Sequence, residues 1–150
     1  MKNSVFVFAA ALALVLPAAS FAVGVDADVE AVKKVIEDAY VKGIHIDRDV
    51  EAVRGGFNPA FIMFILGKGE VTRMTLDEWV AGIEKSKKER PDPPRQETTH
   101  EFSMVDVAGD AAVARVEIYK DGKHVFTDYM SLYKHPDGWK IVGKIYYRHP

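Results

Sequence analysis

The chain has no cysteine. That absence removes disulfides, thiolate nucleophiles, zinc–thiolate centres and a lipid-bearing cysteine behind a leader, so the fold rests on its apolar core alone. Nor is there an excess of positive charge. Lysine and arginine total 20 against 22 acidic side chains, for a formal charge of −2, a balance that fits neither a nucleic-acid binder nor a polybasic membrane binder. Internal repeats and low-complexity tracts are also missing. The five histidines, His45, His100, His124, His135 and His149, show no metal-ligand spacing, so neither a metal centre nor another cofactor is expected.

Among apolar runs, one stands apart. Lys2 precedes a continuous stretch from Val5 to Leu16, Pro17 ends it, and Ser20-Phe21-Ala22 sets small residues at the two positions a signal peptidase reads. Residues 1–22 therefore read as a signal peptide cleaved after Ala22, and residues 23–150 as one exported domain, periplasmic or secreted. Losing the leader removes one lysine and no acid, which moves the formal charge from −2 to −3.

In the mature chain, Val29, Val32, Ile36, Ala39 and Tyr40 recur at helical spacing, predicting a helix from Asp26 to Gly43 capped by Asp26 or Asp28. A short helix should follow Asp47, turn Val50 and Val53 inward, and stop at Gly55-Gly56. Phe57-Asn58-Pro59 forces an extended or turn conformation. Phe61 to Leu66 is apolar throughout, predicting a strand buried on both faces or one with a face that meets a partner; Gly67-Lys68-Gly69 then returns the chain over Glu70 to Met74. Thr75-Leu76-Asp77-Glu78 is a capping box that opens a third helix, and Pro91-Asp92-Pro93-Pro94 closes it.

The longest coherent stretch is Gln96 to Arg148. Turn residues at Gly109-Asp110, Asp121-Gly122 and Pro136-Asp137-Gly138 divide it into four β-branched and aromatic runs, predicting a four-strand meander. The expected fold class is α+β: a curved antiparallel sheet, made of this meander and the short N-terminal hairpin, with three helices on one face forming a cone around a cavity.

In this order of elements the chain resembles the nuclear transport factor 2-like superfamily, and within it the bacterial proteins described as putative lumazine-binding. The likeness spans about residues 28–148. It is carried by Tyr40-Val41-Lys42-Gly43, Phe57-Asn58-Pro59, Met74 to Trp79, Asp128 to Lys134 and Asp137 to Val142. The resemblance implies a pocket at the open end of the cone. Members of the superfamily include isomerases, dehydratases, cyclases, binding proteins and interaction modules, so fold alone does not choose a function.

The ligand-binding residues expected there are Tyr40, Phe57, Phe61, Met63, Trp79 and Tyr129. Steroid-isomerase-like relatives pair a helix-1 tyrosine with a carboxylate near the first hairpin; Tyr40 suits the first role, but residues 57–66 hold no carboxylate. Catalytic candidates are therefore Tyr40 with His100 or Asp128 as acid–base groups. Arg115 and Glu117 share a strand face expected in solvent or at a subunit interface. A small-molecule binder is the leading reading, with an acid–base enzyme as alternative and a dimeric interaction module as the second alternative. A homodimer is the expected assembly, because helices can cover only one face of the sheet.

Overall fold

The computed structural model describes residues 19–93 and 96–150. The first helix, α1 (Ala19–Val35), runs directly into a π-helical segment (Ile36–Ile46). Then come α2 (Val50–Gly56), β1 (Phe57–Gly67), β2 (Glu70–Thr75), α3 (Leu76–Glu89), β3 (Thr98–Ala108), β4 (Ala111–Lys120), β5 (Lys123–His135) and β6 (Gly138–Arg148). Most of the expected leader lies outside the described residues, and α1 begins within its last four. Pro94 of the expected connector also lies outside them. Among the described residues no helix is long and apolar enough to cross a membrane.

The α+β class and the meander are as expected, and the six strands form one sheet in the order β2-β1-β6-β5-β4-β3. One pairing corrects the all-antiparallel expectation: β1 lies parallel to β6, through Phe57↔Ile141, Ile62↔Gly143 and Met63↔Lys144. A parallel neighbour needs a long connection, and α3 with β3 to β5 supplies it. The register shifts between Phe57 and Ile62. Pro59 has no N–H to give a ladder there, and Asn58 Oδ1 instead accepts the Ala60 amide at 2.8 Å. Along β1, Phe61 and Met63 are buried while Phe64 and Leu66 are exposed, so only one face of this apolar run meets the helices.

The helical caps test the local reading. Thr75 and Glu78 form the predicted capping box. Asp49 rather than Asp47 caps α2, accepting from the Glu51 and Ala52 amides. Neither Asp26 nor Asp28 caps the first helix, which starts upstream; Asp28 instead accepts from Lys134 Nζ at 2.6 Å and Trp139 Nε1 at 3.1 Å, tying α1 to the sheet.

Gly43 does not stop the helix. The winding loosens at Ile36 and carries on to Ile46, with Asp47 N–H donating to the Lys42 carbonyl five residues back. Gly43 is buried against α2, where a Cβ would press on the Asp38 carbonyl and Val53 Cγ2, each 3.2 Å away. The core between helices and sheet joins Val32, Ile36 and Val80 to Val116, Met130 and Ile141, all nearly inaccessible to solvent.

Candidate functional site

At the centre of this core lies a polar cluster. Tyr40 comes from the π-helical segment, Asp128 from β5 and Lys144 from β6, and the register sets Asp128 opposite Tyr146 and Lys144 opposite Met130 and Met63. Tyr40 Oη donates to Asp128 Oδ2 at 2.6 Å and accepts from Lys144 Nζ at 2.7 Å; Lys144 Nζ also stands 2.7 Å from Asp128 Oδ1. The ammonium lies against the rings of Tyr40, Tyr146 and Trp79, 4.5, 4.9 and 5.3 Å from their centroids. Asp128 and Tyr40 are fully buried and Lys144 is 7% exposed. Burial, with the Asp128 charge behind it, pushes the Tyr40 hydroxyl well above its usual range. Burial lowers the Lys144 ammonium, against the pull of Asp128.

One residue links this cluster to the outside. His45 packs edge-on against Tyr40, ring centroids 4.8 Å apart, because the wider π winding brings residues five apart onto one side of the helix. It also lines a cleft of about 950 Å³. The cleft lies between the end of the first helix (Ile44 to Arg48), the end of α3 (Ser86, Arg90) and the starts and ends of β3 and β4 (Glu97, Lys120). His45 Nε2 is shut off from solvent and has no hydrogen-bond partner among the described residues. Its pKa falls to about 3 through burial first, then the charges of Lys144 and Lys120, so the ring is neutral across the physiological range.

The cleft wall is held by Arg48, whose backbone sits at φ 52°. That left-handed turn aims the guanidinium at the end of α3. There it donates to the carbonyls of Arg90 at 2.8 Å and Pro91 at 3.0 Å, filling acceptors that a helix terminus leaves open.

The expected pocket residues divide. Phe57, Phe61 and Met63 are buried, and Trp79, partly buried, stacks on Phe61 at 5.8 Å; they form an aromatic floor beside Tyr40 and do not line the cleft. Tyr129 is corrected outright. Alternation along β5 turns Asp128 and Met130 inward, so Tyr129 stands 43% exposed on the uncovered face beside Arg115. His100 pairs with Glu37 at 3.3 Å on the helix side of β3, apart from Asp128. Lys144 and His45 were absent from the sequence-derived candidates. Lys144 was hidden by a register shift in β6, where Ser131 pairs with Gly143 but Leu132 with Ile141, so that alternation counted from Ile141 puts Lys144 on the wrong face; His45 lay beyond the predicted helix end. Spacing also concealed a second group, on the uncovered face: Glu117, expected in solvent or at a subunit interface, is buried within the chain, and it lies with His124 and His149.

Comparison with known proteins adds the following. A family model described as "Putative lumazine-binding" matches residues 27–147. No curated protein matches the sequence. A nuclear transport factor 2-like protein of unknown function from Silicibacter pomeroyi superposes with a TM-score of 0.68 at 23% identity, over 83% of this chain and 98% of its own. One from Shewanella baltica gives 0.64 at 23% identity, over 81% and 93%. A third, from Methylobacillus flagellatus, gives 0.61 at 18% identity, over 83% and 94%. At these identities the likeness establishes a shared fold.

Proposed function

The chain belongs to the family described as "Putative lumazine-binding", within the nuclear transport factor 2-like superfamily, and on that premise we propose that it is an exported binding protein for a small organic molecule held in the cleft beside His45. The observation that carries the reading is the half-buried His45 on the wall of that cleft, a neutral imidazole whose Nε2 finds no partner among the described residues. Leaving such an atom unpaired costs about 1–3 kcal/mol, and rotation of the ring toward the cleft lets Nε2 pair with a ligand donor or acceptor and relieves that cost. The cleft volume of about 950 Å³ suits a small-molecule site, for which about 300–1,000 Å³ is usual. Export rests on the leader read from residues 1–22. Assembly as a homodimer is supported by the apolar outer sheet face, where Phe64, Leu66, Val113, Tyr129, Ile145 and Tyr147 are all more than 40% exposed. A self-complementary contact between two such faces buries them with a single kind of chain.

The enzymatic reading draws on Tyr40, Asp128 and Lys144, which have the donors and charge for acid–base work. Against it stands their closure: Asp128 already binds two partners and is fully buried, so no substrate atom reaches it without opening the core. Native mass spectrometry of protein isolated from its source tests the binding reading. A bound species of small-molecule mass is expected on the wild type and at lower occupancy on His45→Leu; bare wild-type protein, also after incubation with small-molecule extract, overturns it.

A further inference from the structure

Strand pairing brings together three groups from three strands. Glu117 lies on β4, His124 at the start of β5, and His149 immediately after β6, where its N–H donates to the Val125 carbonyl at 2.9 Å. Their ligand atoms fall within 4.8 Å of one another. His124 Nε2 stands 2.9 Å from Glu117 Oε2. Thr127 Oγ1 sits among them, 2.5 Å from Glu117 Oε2, 3.0 Å from His149 Nε2 and 3.3 Å from His124 Nε2. His124 thus aims Nε2 at the carboxylate oxygen, with the Phe126 carbonyl 3.1 Å from the same nitrogen, while His149 Nε2 reaches the cluster through Thr127 Oγ1.

The carboxylate is fixed for that purpose. Ser103 Oγ donates to Glu117 Oε1 at 2.9 Å and Arg115 Nε lies 2.8 Å from it, leaving Oε2 turned toward the histidines. The two histidine rings stack with centroids 3.7 Å apart. Neutral imidazole is the form that ligates metal.

We propose that Glu117, His124 and His149 form a binding site for one divalent transition-metal ion of the zinc class. Two imidazole nitrogens and one carboxylate oxygen suit zinc, at about 2.0–2.2 Å each, with a fourth position left for water. The side chains close on the ion by small rotations of the two rings. His124, whose side chain is 30% exposed, provides the entry side. Ser103 and Arg115 act as the outer partners that orient the carboxylate.

The test is calorimetric titration of untagged, chelator-treated protein with zinc chloride, with cobalt(II) as a spectroscopic probe. One zinc per chain at low-micromolar affinity or tighter is expected, and His149→Ala, His124→Ala and Glu117→Gln should each weaken it by about tenfold or more. His100→Ala should leave it unchanged. Cobalt(II) should give tetrahedral visible bands in wild type and lose them in His149→Ala, a substitution at a partly exposed position past the last strand. Absence of saturable zinc binding overturns the proposal, as does wild-type affinity in the folded His124→Ala and His149→Ala proteins.

Discussion

Replacing Lys144 with methionine isolates the energetics of the buried Tyr40–Asp128–Lys144 cluster. Methionine keeps most of the apolar stem against Tyr40 and Trp79, so little cavity opens, but Asp128 is left as a charge with zero exposure and one remaining partner, the Tyr40 hydroxyl. Removing one member of a buried ion pair costs about 3–5 kcal/mol, because the other stays desolvated. Tyr40→Phe keeps the pair and loses hydrogen bonds to charged groups, at about 1.5–3 kcal/mol. The double variant Lys144→Met/Asp128→Leu removes both charges and should be no worse than Lys144→Met alone. Urea titration followed by tryptophan fluorescence reads these three and the single Asp128→Leu variant, as midpoint shifts at constant slope. A cost below about 1 kcal/mol for Lys144→Met, or a double variant that falls by the sum of the singles, would refute the buried pair.

The pH dependence of stability should report His45. Its folded pKa of about 3 lies below the unfolded value of 6.5, so the unfolded chain binds the extra proton between these values. The contribution is complete above 6.5 and is lost as pH falls, by up to about 1.4 kcal/mol per pH unit until about pH 3. Denaturation curves of His45→Leu should be flatter than wild type across that window; equal slopes would show that the ring is already charged in the fold. For assembly, light scattering should find a dimer for wild type and a monomer for Ile145→Asp, and a wild-type monomer at micromolar concentration would remove the sheet face as an interface. For export, intact mass from source cells should correspond to a chain starting at Val23; a mass that includes residues 1–22 would contradict cleavage.

Local chemistry in the sequence was a good guide wherever one short stretch decides the outcome. Thr75 and Glu78 satisfy each other's amides, and Asp121 and Gly122 take the positive φ values, 50° and 75°, that their hairpin requires. Alternation on β4, which sets Val116 and Ile118 on the face opposite Arg115 and Glu117, agrees with their burial, yet the same rule applied to β5 should have turned Tyr129 outward once Asp128 was taken as inward. What stayed hidden depends on contacts between distant segments. The parallel β1–β6 pair has no local signature. Gly43 reads as a helix stop, and only the approach of Val53 on α2 shows why a residue without Cβ is needed inside the helix. That π continuation is what delivers His45 to the cleft, and an α-helical spacing rule cannot anticipate it. Likewise Lys144 reads as an exposed lysine until Asp128 and Tyr40 are seen around it.

The most direct measurement of the central claim compares ligand affinity in His45→Leu and Tyr40→Phe, using the small molecule recovered with the native protein. His45 borders the cleft with an unpaired nitrogen, whereas the Tyr40 hydroxyl is already engaged by Asp128 and Lys144. The predicted result is a loss of about 1–2 kcal/mol, roughly 5- to 30-fold, for His45→Leu, with affinity unchanged in folded Tyr40→Phe. Undiminished binding by His45→Leu, or a loss confined to Tyr40→Phe, would contradict a ligand site at this cleft.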